Sequence, residues 1–361
     1  MLIYVCISAH GFGHGSRCAA VLAALASVRP HWRLVISTVL PSSFLDLAFA
    51  DVPHERRACR WDVGVVQADA LAVDGEATLA SLERLLVGID ATIEREAGWL
   101  LRQGQPVLVL ADVPPDAARL AARVGAPLLW LASFGWDAIY APMGDAFAPW
   151  AERCLGLYRR GNLLLGCPFA LPMPWGLPRV ALGITSAAPR HPAGVVRQRL
   201  DLPEDRCRCV LISFGGLGLA VDPALVNRWP DHHFVGTDPR LADFANGRCL
   251  PADLRPVDVM PVIGRLITKP GYSSFCEAMA HDVGIHLVRR EGFAEAPVLE
   301  EELRRHGRHR LIEAEAFRAG AWQLDQPLVE PIEGPLRLDG ALRAASAIVE
   351  TAEQGISKSD R

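Results

Sequence analysis

Residues 267–295 read ITKPGYSSFCEAMAHDVGIHLVRREGFAE. An apolar stretch, a Pro-Gly break, an amphipathic run and a second apolar stretch predict a strand, a glycine turn, a helix and another strand. A helix that opens this way is an anion site. Its first backbone N–H groups lack acceptors within the helix, the aligned peptide dipoles leave partial positive charge there, and Gly271 lets a phosphate come close. Lys269 adds a cation beside the turn and is one of two lysines in the chain. These residues predict a nucleotide-binding turn.

Glu277 carries two readings. Ser274-Phe275-Cys276-Glu277 fits the capping box, in which the glutamate reaches back to its own helix entrance. Alternatively, a carboxylate one turn into a helix beside a phosphate site accepts hydrogen bonds from a ribose diol, as acidic residues do in dinucleotide folds. Spacing leaves both open.

The chain has 361 residues, long for one core, so two α/β domains are expected. The formal net charge is −4, with arginines scattered through the chain. That argues against nucleic acid as the main partner and leaves peripheral membrane contact open. The amino-terminal residues MLIYVCISAHGFGHG lack the layout of a secretion signal, and no apolar run approaches the roughly 20 residues that span a bilayer. A cytoplasmic location is expected. Nine spread cysteines with no C-x-x-C indicate neither a disulfide framework nor a zinc site. Cys207 and Cys209 read as packing residues of a strand. No D-x-D pair is present to hold a divalent ion on a diphosphate, so metal-independent chemistry without a cofactor is expected.

Outward from the quoted stretch, two halves repeat one logic. The first begins with a strand (2–8), a glycine loop, an alanine-rich helix (17–27) and a strand (33–38), a βαβ start. Strands follow at 107–111 and 127–131, with helices over 77–101 and 116–124. Such near-continuous apolar strands suit a parallel sheet covered on both faces. The second half starts at 209–214, runs into Gly215, Gly216, Leu217 and Gly218, and continues through strands near 233–235 and 247–250. The boundaries expected are a first Rossmann-like domain over 1–165, a proline-rich crossing over 166–205 (CPFALPMPWGLPRVALG), a second domain over 206–340, and a closing helix with a polar tail over 341–361. The closing helix reads as 338–353, with the tail from Gly355 expected to be disordered. A cleft between two such domains, faced by strand ends, suits a small-molecule site.

The first glycine loop, Ala9 to Arg17, departs from the dinucleotide fingerprint because Gly11, Gly13 and Gly15 alternate and two histidines interrupt them. Small residues let backbone approach a ligand, and an imidazole at a strand end suits general base work. His14 is read as catalytic or substrate-binding ahead of structural. For His10 the structural reading comes first. His10, Gly11, Phe12 and Gly13 are assigned to the acceptor side. Asp112, ending an apolar strand before Pro114-Pro115, is suited to orienting a histidine or binding an acceptor hydroxyl, and equally to capping the next helix. Gly215, Gly216 and Gly218 read as a phosphate loop or a tight connection. Glu295 is a candidate sugar contact, whereas Glu300 to Glu302 read as a solvated helix face and Leu82, Leu85, Leu86 and Ile89 as core.

TKPGYSSFCEAMA with REGFAEAPVL resembles the sugar-nucleotide half of GT-B glycosyltransferases, especially the family of the peptidoglycan N-acetylglucosaminyltransferase and galactolipid synthases. In the first half, HGFGHGSR, VGVVQADALAVDGEATLASLE and LADVPPDAARLAARVGAPLLWLASFGWDAIY resemble the amino-terminal glycosyltransferase-like region of L-arabinokinases and related free-standing bacterial proteins. The resemblance covers most of the chain. It implies a GT-B fold and a hexosyltransferase with a UDP-sugar as co-substrate. Glu277 would lie on the ribose, Gly271, Tyr272, Ser273 and Ser274 on the diphosphate, Glu295 near the donor sugar and His14 near the reacting centre. Tyr272 stands where the lipid glycosyltransferases commonly have a second glycine. No kinase domain follows, so sugar phosphorylation is not implied. The expected reaction is an inverting transfer with His14 as base. The rival readings are a sugar-nucleotide epimerase on the same fold and a non-catalytic sugar-nucleotide-binding module. The sequence leaves donor sugar and acceptor unnamed.

Overall fold

The computed structural model describes residues 1–66, 73–214, 222–290 and 294–359. The chain divides into two compact units, Met1–Thr185 with Asp339–Arg361, and Ser186–Leu338.

In the first unit, strands β1 (Leu2–Ile7), β2 (Arg33–Ser37), β3 (Glu55–Arg57), β4 (Val107–Asp112), β5 (Leu128–Ala132), β6 (Leu163–Gly166) and β7 (Arg179–Ala181) form a parallel sheet. Its order is β3-β2-β1-β4-β5-β6-β7. Every residue of β1 is buried, as an inner strand covered on both faces requires. In the second unit, β8 (Cys209–Ile212), β9 (His233–Gly236), β10 (Gly247–Cys249), β11 (Arg265–Thr268), β12 (Gly284–Val288) and β13 (His309–Ile312) form a second parallel sheet of order β10-β9-β8-β11-β12-β13. Each order reverses once, between β1 and β4 and between β8 and β11. At such a reversal the flanking loops diverge and leave a crevice outside the strand carboxyl ends.

Several boundaries differ from those expected. The first helix is Phe12–Val28, starting five residues before Arg17. Its glycine-rich start has low helix propensity and no side-chain cap, yet His14, Gly15, Arg17 and Cys18 are buried along it. Tertiary packing overrides the local preference. The segment expected as a crossing over 166–205 instead carries β7 of the first sheet and the Ala193–Arg199 helix of the second unit, and the division falls at Thr185. The closing helix is Gly340–Ser359, so the tail expected to be disordered from Gly355 continues as helix. It belongs to the first unit, where it packs against Phe12–Val28 and buries Ala344, Ala345, Ile348 and Ala352.

On the Gly75–Leu101 helix, Leu82 and Ile89 are core, but Leu85 is half-buried and Leu86 exposed, a correction to the four-residue stripe. None of the nine cysteines, all of them among the described residues, is in a disulfide. Cys209 is buried in β8, whereas Cys207 is exposed in the one-turn helix Arg206–Arg208, outside the strand. Among the described residues no helix is long and apolar enough to cross a membrane.

Candidate functional site

At the reversal of the first sheet, β1 leads through residues 8–11 into the Phe12–Val28 helix, and β4 ends on Asp112. His14, Arg17 and Cys18 stand at helical positions i, i+3 and i+4 and share one face. That face meets Asp112. His14 Nδ1 lies 2.8 Å from Asp112 Oδ1. Arg17 donates from Nε to Oδ2 at 2.8 Å and from a terminal nitrogen to Oδ1 at 2.5 Å, a bidentate fork. Its other terminal nitrogen donates to Ser133 Oγ at 3.0 Å. Cys18 Sγ donates to Oδ2 at 3.4 Å, its thiol kept protonated by burial.

Asp112 is fully buried. Burial alone would raise its carboxyl, but Arg17 and His14 outweigh that and hold it at about 2. It is therefore an anion, able only to accept. His14 Nδ1 must then carry the proton, which makes Nε2 the basic nitrogen. Nε2 has no hydrogen-bond partner among the described residues. Asp112 does not cap the next helix, Ala117–Val124, whose N-cap is Asp116.

Val113, directly after Asp112, has φ +66. A β-branched residue in the left-handed region is strained, by about 1–3 kcal/mol. Full burial and the Tyr158 hydroxyl, which donates to the Val113 carbonyl at 2.6 Å, hold it there.

His10 faces a different set of groups. Its Nδ1 accepts from the Val65 N–H at 3.4 Å, and its ring meets Trp136 edge-on at 5.3 Å. Gly64 passes beside it at φ +71, where a Cβ would fall 2.4 Å from His10 Nδ1. Trp136 donates to buried Asp62 at 2.9 Å, and burial raises the Asp62 carboxyl. Phe12 is partly exposed and stacks on Phe44 at 4.5 Å. Gly11 is the N-cap of the first helix at φ −163, and a Cβ there would meet nothing within 4 Å. Gly13 lies half-buried in the first turn.

At the reversal of the second sheet, β11 ends at Thr268 and the Tyr272–Ala280 helix begins with Gly271 as N-cap. Tyr272, Ser273 and Ser274 form its first turn, whose amides have no acceptor within the helix. Ser274 is thus inside the helix, and Gly271 caps it without any side-chain hydrogen bond, which corrects the capping-box reading. The helix begins three residues earlier than that motif assumes. A Cβ on Gly271 would meet only the Lys269 carbonyl at 3.7 Å and Ser274 Oγ at 3.9 Å, ordinary contacts. The fold itself has no need of glycine there.

Glu277 is buried, and among the described residues its carboxylate has no hydrogen bond or ion pair. Burial raises it to about 7, with Arg255 lowering it and Asp258 raising it. Arg255 cannot neutralise it closely, since its guanidinium is held by Asp258 at 2.7 and 3.0 Å. An uncompensated carboxyl in such a place costs stability. Lys269 is half-buried, its ammonium held below the usual range by burial and by buried Arg290 just beyond β12. Two cations thus stand near the turn where the sequence reading had one.

Glu295 is the N-cap of the Ala296–His306 helix. The face expected as solvated is tied into ion pairs, Glu300 with Arg289 and Arg304 and Glu302 with Arg305. Gly215, Gly216 and Gly218 lie outside the described residues. Arg17 is the site residue that sequence reasoning missed. Its signal is the i, i+3 spacing from His14, which has meaning only in a helix that starts before His14, as Phe12–Val28 does.

No family model matches the chain. L-arabinokinase of Arabidopsis thaliana is 28% identical over 302 residues, which are 81% of this chain and 28% of that protein. The chain therefore spans little more than a quarter of that relative's length. Among solved structures, a UDP-glucosyltransferase from Polygonum tinctorium capable of glucosylating indoxyl superposes with a TM-score of 0.61 at 15% identity, covering 98% of this chain and 93% of that one. UGT2 of Phytolacca americana, complexed with UDP-2-fluoro-glucose and pterostilbene, gives 0.58 at 13% identity, covering 98% and 94%. These likenesses show the fold: two parallel-sheet, Rossmann-like units of the GT-B kind.

Proposed function

We propose that this chain is a glycosyltransferase that moves a sugar from a UDP-sugar to a hydroxyl acceptor. One observation carries the reading: each unit, at its own sheet reversal, presents a polar group that the protein leaves without a partner among the described residues. In the first unit it is Nε2 of His14 and in the second the carboxylate of Glu277. Solved structures of the same fold are UDP-sugar transferases by their names, which supports the choice of donor.

The roles follow from chemistry. Glu277 accepts hydrogen bonds from the two ribose hydroxyls, a neutral diol that satisfies a buried carboxylate. The first-turn amides from Tyr272 to Ser274 receive the diphosphate, with Gly271 leaving room for it. The acceptor hydroxyl gives its proton to His14 Nε2 while its oxygen bonds to the anomeric carbon, and the bond from that carbon to the diphosphate oxygen breaks. Inversion follows from this single displacement. Negative charge grows on the departing UDP, where the helix amides and Lys269 offset it electrostatically, so the proposal assigns that task to no metal. Asp112 keeps Nδ1 protonated and so keeps the lone pair on Nε2.

The test begins with thermal shifts of the full chain with UDP, GDP, dTDP and ADP, followed by UDP-release assays with UDP-sugars and a panel of hydroxyl acceptors. A ligand that binds only the folded protein raises its melting temperature. Stabilisation by UDP, absent in Glu277→Ala, and acceptor-dependent UDP release are expected. Acceptor-independent conversion of the sugar would replace the proposal with an epimerase. Stabilisation with no turnover on any acceptor would replace it with a binding module.

A further inference from the structure

We propose that Arg17 is a positioning residue, whose guanidinium fork pins Asp112 and sets both the aim and the charge balance of His14. Its purpose rests on the transferase reading, but its test does not.

The geometry is that of a shared anion. Asp112 Oδ1 faces His14 Nδ1 at 2.8 Å and an Arg17 terminal nitrogen at 2.5 Å, and Oδ2 faces Arg17 Nε at 2.8 Å. Arg17 is 2% exposed, and its remaining terminal nitrogen reaches Ser133, the first residue beyond β5. The fork is thereby tied across two adjacent strand ends. Both carboxylate oxygens are engaged, so the plane of the Asp112 side chain is fixed, and with it the line along which Nδ1–H points.

Charge balance follows from the same contacts. In a pair of only imidazole and carboxylate, proton uptake turns a net charge of −1 into 0. With the guanidinium on the same oxygens, proton uptake turns 0 into +1 in a buried site. The guanidinium thus occupies both oxygens of the carboxylate that His14 faces, so Asp112 is not the imidazole's partner alone. Among the described residues the other titratable groups near His14 are Cys18 on its own helix, buried with Asp112, and Asp62 from the segment after β3, whose carboxyl responds to the His14 charge. His10, whose ring also meets Trp136, faces Val65. None of these reproduces the fork.

The experiment follows the His14 imidazole by 1H–15N NMR through a pH titration of the full chain without substrate, with the signals assigned by comparison with His14→Ala. Arg17→Gln is expected to move the titration midpoint upward by about one pH unit, because a like charge has gone. Arg17→Lys keeps the charge and loses the fork, so it is expected to leave the midpoint in place while displacing the Nδ1–H resonance. An unmoved midpoint in Arg17→Gln, or equal displacement in both variants, overturns the proposal. Should Arg17→Gln fail to fold, Arg17→Lys decides alone: a displaced midpoint, or an Nδ1–H resonance identical with the parent's, overturns it. A protein inactive with every acceptor would sink the transferase reading and leave this result intact.

Discussion

His14 and Asp112 are 98 positions apart in the chain and 2.8 Å apart in the structure, Nδ1 to Oδ1. The contact joins the first turn of a helix to the end of a neighbouring strand, and it orients the imidazole while Nε2 stays unengaged by any described residue. His14→Ala is expected to lower kcat by about 10²–10⁴-fold and to leave UDP affinity within twofold. Turnover assays and calorimetric UDP titration check this pair of outcomes. Parallel losses in both would remove His14 from the role of base.

Asp112→Asn tests the buried charge as well as catalysis. It strands the Arg17 guanidinium, which is 2% exposed, against a neutral amide. Breaking a buried pair by removing one partner costs about 3–5 kcal/mol. Urea unfolding should show a loss of that order, and Arg17→Met in the same background should restore part of it. An additive double variant would mean that the two side chains do not interact energetically.

Glu277 links binding and stability to pH with opposite signs. Its folded value is about 7, above an unfolded value near 4.5, so folding takes up a proton between these limits. The stability contribution is full below about 4.5 and is lost as pH rises through 7. Glu277→Gln should therefore be more stable than the parent at pH 8, by at most about 3 kcal/mol, and not at pH 4.5. UDP affinity of the parent should rise with pH through about 7, because the ribose hydroxyls need the carboxylate as acceptor. Affinity that stays flat from pH 6 to 8 would take Glu277 out of the nucleotide site.

Gly271→Ala separates the needs of the fold from those of a ligand. The backbone there is extended, at φ −161, and a Cβ would meet nothing closer than 3.7 Å. Unfolding free energy should change by less than about 1 kcal/mol. UDP binding should weaken by about tenfold, on the order of 1.4 kcal/mol, as the methyl group fills the space above the first-turn amides. Unaltered UDP affinity would place the diphosphate elsewhere.

Much of the fold is written in local patterns. The near-continuous apolar strands at 2–8 and 107–111 read correctly because an inner parallel strand is apolar on both faces, as β1 is. The errors gather where tertiary packing decides. GFGHGS has poor helix propensity, so local pattern puts the helix entrance at Arg17, five residues late, whereas Arg17 lies a full turn inside. Ser274 and Glu277 have capping-box spacing, but the Pro270-Gly271 break starts the helix before Ser274 can cap it. The pairing of His14 with Asp112 required sheet order, since β1 and β4 are neighbours only because the chain crosses over β2 and β3 first. That Glu277 has no partner among the described residues is a fact of three-dimensional surroundings, which no spacing rule encodes.

The return of Gly340–Ser359 to the first unit orders events during synthesis. Residues 186–338 leave the ribosome complete while the Phe12–Val28 helix still lacks the partner that covers it, a wait on the order of ten seconds at ordinary elongation rates. The second unit can therefore finish folding before the first. For the same reason, a fragment that stops at Thr185 would expose an alanine-rich helical surface, whereas one spanning Ser186 to Leu338 would cut through none of its own sheet. The Ser186–Leu338 unit is therefore expected to fold when expressed alone, and the unit that carries His14 is expected to need its last helix supplied.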